Sequence, residues 1–265
     1  MNRYAKGAII VMMTVLVLVP IYPLIGWSFS STWTFPRLMP NSFTADRFIA
    51  VLTTDTYVTA IYNSVVLAVT VTLLSLALGF YAAKTLGMRD FRGRRALEIL
   101  MLLPALAPGI AILYGVREVF VSMGLYLSWA SVVIAQTVFT LPYIIMLLIP
   151  LFRNYDADYE RQAATLGISK LNTLIHVTLP SIRSGLIVAC MYTFMVSWSM
   201  FLVVNFLAPV GFTTIATLLL PLIATWSSST TVAVMTLLFI LPALFVFVLS
   251  SKMLGDSAEM GRYNP

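Results

Sequence analysis

Long runs of apolar residues with almost no charged side chains constrain this chain more than any other feature. Residues 184–251, for example, contain no Asp, Glu, Lys or Arg over 68 positions. An α-helix needs about 20 apolar residues to cross the hydrocarbon core of a bilayer. The sequence therefore predicts six transmembrane helices, approximately at residues 8–28, 60–83, 97–116, 129–151, 186–206 and 231–251.

The composition supports a membrane location for the whole chain. Of its 265 residues, 60% are hydrophobic and only 10% are charged, whereas about a quarter of the residues in a soluble domain carry charge. We therefore predict an all-α integral membrane protein with one transmembrane domain over residues 1–265. Residues 213–224 are apolar but too short to cross, so we expect a re-entrant or interfacial segment there.

The distribution of Lys and Arg predicts the orientation. Thirteen of the 16 basic residues lie at the two termini or in the loops 84–95 and 153–183, and the other three are Arg37, Arg47 and Arg117. Basic residues concentrate in cytoplasmic loops. Both termini are therefore expected in the cytoplasm of a bacterium, with the protein in its inner membrane. The net charge of +6 has the same source, so it does not indicate nucleic-acid binding.

The loop between the fourth and fifth predicted helices, residues 153–183, contains a segment with helix signals, which we call the hairpin (Asp156–Pro180). Acidic residues gather at its start, as a helix N-terminus favours. Gly167 can provide a left-handed stop, Ser169 can cap a second helix, and Pro180 can end or redirect it. Two interpretations remain open: the hairpin packs against its own transmembrane helices, or it docks on a cytoplasmic partner.

The hairpin also resembles a known motif. Gly167, nine residues and then Val177-Thr178-Leu179-Pro180 are similar to the G-x9-I-x-L-P core of the EAA loop in permease subunits of ATP-binding-cassette importers. Upstream the sequence departs from the motif, because Arg161-Gln162-Ala163 stands where the family has Glu-Ala-Ala and Glu160 falls one place early. Asn63-Ser64 and the segment 79–83 resemble other family patterns.

This resemblance implies a type I importer permease fold, with a cytoplasmic coupling-helix hairpin between helices 4 and 5. It implies a transport subunit rather than an enzyme, working with an ATPase dimer, a homologous second permease and an extracytoplasmic substrate-binding protein. ATP and Mg²⁺ would bind the ATPase, and this chain would bind no cofactor. The outer segment 30–40 and the overall layout resemble permeases of the spermidine/putrescine, aminoethylphosphonate, thiamine and ferric-iron group, which implies a polyamine or a similar small charged solute. The implied coupling residues are Ala163, Ala164, Leu166, Gly167, Ile168, Ser169, Lys170 and Leu171.

Two other classes of protein remain as alternatives. The chain has no G-x-x-x-x-G-K-[ST] phosphate loop, which leaves an ion-coupled secondary transporter open, but the predicted spans have no central charged residue to support one. An intramembrane enzyme is the other alternative. His176 and Cys190 have no accompanying hydrolase motif, and no Cys/His pattern predicts a metal site.

Polar side chains within the spans are the candidates for a translocation path. Prolines at 104, 108, 142 and 242 can free backbone carbonyls toward a cavity. For each polar side chain the alternative is a structural hydrogen bond between helices. The candidates are Tyr114, Gln136, Thr137, Ser197, Ser199 and Asn205.

Overall fold

The computed structural model describes residues 3–31, 33, 39–40, 42–106, 109–224 and 229–260. Within that part of the chain the structure is helical, with one isolated β-bridge between Ser30 and Phe43 and no strand. The prediction of an all-α chain is confirmed. In chain order the helices are α1 (Arg3–Ser28), α2 (Asp46–Thr53), α3 (Asp55–Met88), α4 (Arg94–Leu106), α5 (Gly109–Ser122), α6 (Trp129–Arg153), α7 (Asp158–Thr165), α8 (Lys170–Thr173), a π-helix (Leu174–Thr178), α9 (Leu179–Ser181), α10 (Arg183–Trp198), α11 (Phe201–Leu207), α12 (Ile215–Ala224) and α13 (Ser229–Met260).

Three of the described helices are long and apolar enough to cross a membrane: Asp55–Met88, Trp129–Arg153 and the part Thr230–Ser250 of α13. A fourth is obtained if the helical stretch Lys170–Ser181 and α10, which bend by 84°, are taken together. The predicted spans 60–83 and 129–151 lie within α3 and α6, and 8–28 lies within α1. The count of six spans stays a prediction.

Two predicted spans are not single helices. The third, 97–116, is divided between α4 and α5, and Pro108, which we named as a helix breaker, lies outside the described residues. The fifth, 186–206, is interrupted because α10 ends at Trp198 and α11 begins at Phe201. Met200 leaves the helical region (ψ 70°), and the Ser199 hydroxyl donates to the Val196 carbonyl. Such side-chain bonds compete with the helical ladder.

The described residues form two compact units. The first comprises residues 1–62 and 213–242. In it, Trp33 packs on the last turns of α1, with its ring 5.5 Å from that of Trp27. The predicted re-entrant or interfacial segment 213–224 is helical from Ile215. Thr214 precedes this helix, and its backbone N–H donates to the Thr217 hydroxyl at 2.8 Å.

The second unit comprises residues 63–212 and 243–265. Its apolar core has two clusters, both of which contain residues of α3 and α6. One cluster adds residues of α5 and α11, and the other adds Ile182 and Ala189. Between them, the Ser75 hydroxyl of α3 and the Thr140 hydroxyl of α6 form a buried hydrogen bond of 2.6 Å. Helix α6 is therefore the central element of this unit.

Glycines allow close approach to α6. A Cβ atom on Gly79 would lie 2.9 Å from Cγ2 of Ile144, and one on Gly87 would lie 2.9 Å from the backbone oxygen of Ile149. Gly185 of α10 meets the Leu151 side chain in the same way. Small residues at such positions are typical of helix packing in membranes. Gly79 and Gly87 therefore lie on the surface of α3 that packs against α6.

Candidate functional site

The hairpin has the local structure that its sequence predicts. Helix α7 ends in a left-handed Gly167 (φ +76°), whose N–H donates to the Ala164 carbonyl at 3.0 Å. The Ile168 N–H donates to the Ala163 carbonyl at 3.1 Å, which completes a Schellman motif. The Ser169 side chain then accepts a hydrogen bond from the Asn172 N–H and caps α8. The predicted left-handed stop at Gly167 and the predicted helix cap at Ser169 are both confirmed.

The turn of the hairpin carries exposed apolar side chains. Of the eight predicted coupling residues, Ala163 is buried and the other seven are exposed. Leu166 is 78% exposed and Leu171 is 64% exposed, with Ile168 beside them. This chain therefore does not cover the turn with its own described residues. That observation favours a docking role over the alternative in which the hairpin only packs on its own helices.

The base of the hairpin is joined to α3 by a group of side chains that we call the Glu160 cluster (Lys84, Tyr155, Glu160 and Thr178). The Lys84 ammonium donates to both carboxylate oxygens of Glu160, each at 2.7 Å. The Thr178 hydroxyl donates to Oε1 of the same carboxylate, also at 2.7 Å. The Tyr155 hydroxyl lies 3.5 Å from that of Thr178. One carboxylate thus connects α3, α7 and the π-helix.

Electrostatics keeps this carboxylate ionised. Burial raises the pKa of Glu160, but the hydrogen bonds from Lys84 and Thr178 and the charge of Lys84 outweigh burial, so the pKa lies below its ordinary value of 4.5. Burial also raises the pKa of the Tyr155 phenol, which keeps it neutral and able to donate. The cluster is therefore a charge-assisted network at neutral pH.

We expect the contribution of the Glu160 cluster to stability to depend on pH. A carboxylate with a lowered folded-state pKa stabilises the fold above its unfolded-state pKa and loses this effect as the pH falls through the folded-state value. The difference in melting temperature between the wild type and Glu160→Gln should thus be constant above about pH 5.5 and shrink below pH 4.5. Thermal unfolding of detergent-solubilised protein across this range measures it. A difference that grows on acidification would contradict the assignment.

A cavity of about 470 Å³ lies beside the cluster. Its charged lining comes from Lys84, Glu160, Arg161 and Lys170, and its other lining residues include Tyr81 and Thr178. Sequence reasoning missed the cluster because Lys84 and Glu160 are 76 residues apart. The available signals were the position of Lys84 directly after an apolar run and Glu160 being the single Glu of the hairpin.

The candidates for the translocation path are not brought together as one group. Gln136, Thr137 and Ser197 are buried, and Tyr114, Ser199 and Asn205 are exposed. The Thr137 hydroxyl donates to the Val133 carbonyl of its own helix, and the Tyr114 ring meets that of Phe206 edge to face. The described part of the chain does not place these six side chains around one cavity, so their role stays a prediction.

Gln136 and Ser197 form an interhelical contact between α6 and α10. The Ser197 hydroxyl donates to Oε1 of Gln136 at 2.5 Å, while Nε2 of Gln136 is buried with no hydrogen-bond partner among the described residues. An unpaired buried donor costs about 1–3 kcal/mol, whereas an apolar group of the same shape costs little. The contact therefore pairs the amide oxygen of Gln136 and leaves its amide nitrogen without a hydrogen bond among the described residues.

We expect Ser197→Ala to lower the melting temperature, because it also leaves Oε1 of Gln136 unpaired. Gln136→Met should be close to neutral or stabilising, and in the double variant it should remove most of the loss caused by Ser197→Ala. Thermal unfolding of the four proteins measures this coupling. Additive effects of the two substitutions would show that the hydrogen bond does not control stability here.

Comparison with known proteins identifies the family. A family model described as "Binding-protein-dependent transport system inner membrane component" matches residues 75–255, which include the hairpin and the Glu160 cluster. The chain belongs to this family. Its members are permeases, and the curated relatives are transport proteins rather than enzymes.

The relatives of this permease are named for different solutes. A spermidine/putrescine transport system permease protein of Haemophilus influenzae is 24% identical over 80% of this chain and 87% of its own length. A molybdenum transport system permease protein of Mycobacterium bovis is 38% identical over 53% and 58%. A trehalose transport system permease protein of Mycobacterium tuberculosis is 26% identical over 62% and 60%. The matches thus span only about three fifths of the latter two proteins.

A solved structure supports the fold. A chain of a bacterial ABC transporter involved in the import of the acidic polysaccharide alginate superimposes with a TM-score of 0.70, covering 94% of this chain and 95% of that chain at 18% identity. The importer permease fold expected from the EAA-like motif is therefore present in this family member.

Proposed function

We propose that this permease is the transmembrane subunit of an ATP-driven importer and that its hairpin docks on a separate ATPase subunit. The observation that carries this proposal is a hairpin fixed at its base by the Glu160 cluster while its turn presents Leu166, Ile168 and Leu171 to the surroundings. Exposed apolar side chains on a rigid element are suited to fit a groove on a partner.

The chain is proposed to have six transmembrane helices and cytoplasmic termini in a bacterial inner membrane. The distribution of basic residues supports this orientation, and it places the hairpin on the cytoplasmic side. The proposed partners are two ATPase subunits, a homologous second permease and an extracytoplasmic binding protein. ATP and Mg²⁺ belong to the ATPase subunits in this proposal, and the chain itself holds no cofactor.

The mechanism follows from the position of the hairpin. ATP binding closes the ATPase dimer and moves the two docked hairpins as rigid bodies, which tips the helix bundles between inward-open and outward-open states. A binding protein then delivers the solute to the outward-open state. The residues proposed to contact the ATPase are the seven exposed ones of the predicted set, and the eighth, Ala163, is buried.

The proposed solute is a polyamine or a similar small charged compound. The spermidine/putrescine relative matches most of both chains, and the molybdenum relative has the higher identity over a shorter match. Polyamines and molybdate both carry charge at neutral pH. The six candidate path residues remain proposed path residues, with Tyr114, Ser199 and Asn205 the exposed members.

Reconstitution tests the function. Proteoliposomes containing this permease, its partner permease, the ATPase subunits and the binding protein are supplied with labelled spermidine, putrescine, molybdate or trehalose. We expect uptake of a charged solute that requires ATP inside the vesicle with the ATPase. Uptake driven by an ion gradient without the ATPase would identify a secondary transporter instead, and chemical change of the solute would identify an enzyme.

The orientation of the hairpin needs a separate experiment. In a Cys190→Ser background, Leu166→Cys places a thiol at a 78% exposed position of the turn. When the expressing cells lack the ATPase, a membrane-impermeant maleimide should label this thiol in inside-out vesicles and not in intact cells. Labelling from outside the cell would contradict the cytoplasmic hairpin.

A further inference from the structure

The two helical arms of the hairpin are attached to the rest of the second unit in different ways. In the returning arm, Leu174 and Leu179 pack against the apolar cluster that contains Phe80 and Ala83 of α3. In the first arm, α7 has a single buried residue, Ala163. Among the described residues, Glu160 is the residue of α7 that forms hydrogen bonds to α3, and its partner is Lys84. Apolar packing therefore holds one arm, and an ion pair connects the other to α3.

The Lys84–Glu160 pair joins two elements, and its ammonium contacts both carboxylate oxygens at 2.7 Å. Each side chain is 25% exposed, which is close to the shielding of the pair Arg94–Glu98, at 18% and 24%, but that pair joins neighbours on α4. The pair Arg161–Asp158 joins neighbours on one helix and is 78% and 58% exposed, so water screens it strongly. The pair Lys84–Glu160 has the shielding and geometry of an ion pair that keeps two elements in fixed positions.

Glu160 also lies where α7, α3 and the π-helix meet. Its carboxylate accepts from α3 through Lys84 and from the π-helix through Thr178. Glu160 of the first arm therefore accepts hydrogen bonds both from the returning arm and from α3. The π-helix at Leu174–Thr178 places the Thr178 hydroxyl, which is 1% exposed at the residue level, against this carboxylate. Single π-turns within helices are frequent at functional positions.

Helix α3 continues from Lys84 for about eight turns toward its other end at Asp55 and is one of the long apolar helices. From the first arm, a force applied at the turn of the hairpin reaches α3 through Glu160, and from the returning arm it reaches the apolar cluster of α3 and α6 through Leu174 and Leu179. From these contacts we infer that Glu160 and Lys84 are positioning residues that transmit the movement of the docked hairpin to α3. This inference rests on the proposed function, because it assumes that the ATPase moves the hairpin.

The test measures coupling rather than folding. Lys84→Met and Glu160→Gln remove the charge pair with little change in size, and the double variant Lys84→Glu/Glu160→Lys reverses it. Each complex is reconstituted, and solute uptake per ATP hydrolysed is measured. We expect the single variants to hydrolyse ATP and to lose about fivefold or more in uptake per ATP. The reversed pair should recover most of this loss, because Thr178 can donate or accept.

Arg94→Met is the matched control. It removes two ion pairs, Arg94–Asp90 and Arg94–Glu98, whose members lie on or next to α4. Glu98 keeps its second partner, Arg153 at the end of α6, so its carboxylate stays paired. Uptake per ATP in this control should stay within about twofold of the wild type. Thr178→Val, which keeps the ion pair and removes the second donor, should give an intermediate loss.

The outcomes separate this inference from the proposed function. Single variants that transport with the wild-type ratio would overturn the positioning role, even where wild-type uptake requires ATP. A reversed pair that fails while folding with the wild-type melting temperature would also overturn it. Wild-type uptake that needs no ATPase would overturn the proposed function itself.

Discussion

In Gly167→Asp, ATP-driven uptake should fall to the background level while the permease remains folded in the membrane. Asp tolerates the left-handed conformation at φ +76° better than most residues, and a Cβ at this position meets no atom within 4 Å. The substitution instead places a carboxylate between Leu166 and Ile168 on the proposed docking surface. An unpaired charge desolvated in an interface costs about 3 kcal/mol, or about a hundredfold in affinity.

Gly93→Asp is the matched control for this variant. Gly93 also has a positive φ, +94°, and is exposed, and a Cβ atom on it would meet no atom within 4 Å. It lies in the loop before α4 and is not part of the hairpin. Co-purification of the ATPase and uptake in proteoliposomes are measured for both variants. Equal loss in both, or normal uptake by Gly167→Asp, would contradict docking through the turn of the hairpin.

Gly87→Leu should give the largest loss of stability. A Cβ at Gly87 lies close to the Phe152 side chain and 2.9 Å from the Ile149 carbonyl oxygen. A backbone oxygen cannot move aside as a flexible side chain can, so α3 and α6 must separate. Overpacking of this kind costs about 3 kcal/mol, which is a large part of the stability of a domain.

Gly115→Leu is the control, because Gly115 is also within a helix and a Cβ there meets nothing within 4 Å. Both substitutions improve helix propensity by a similar amount, so the difference between them measures the clash. Thermal unfolding and gel filtration of detergent-solubilised protein provide the readout. A Gly87→Leu protein as stable as Gly115→Leu would show that α3 and α6 do not approach closely in the membrane.

Local signals predicted the hairpin well. A glycine that ends one helix and a serine that starts the next act through their own backbone neighbours, so Gly167 and Ser169 could be assigned from sequence alone. The same reasoning was less successful for the fifth span. There the apolar composition continues through residues 186–206, and hydropathy does not register the break at Ser199 and Met200, which is a feature of backbone geometry.

The roles of polar residues within the helices could not be read from sequence. Gln136 and Ser197 were candidates for the path, and the structure places them in a buried contact with each other. The departure of the sequence from the EAA motif at residues 161–163 left no role for Glu160. The tertiary structure gives that carboxylate two donors from different elements, Lys84 of α3 and Thr178 of the π-helix.

The sequence by itself determined that this chain is a helical membrane protein with an EAA-like hairpin, because apolar run length and turn residues act locally. Only the tertiary structure decided which side chains meet: Lys84 with Glu160, Gln136 with Ser197, and Gly87 with the backbone of α6. The first two pairs lie 76 and 61 residues apart in the chain. Their contacts depend on how the helices pack, and no local pattern encodes a partner at that separation.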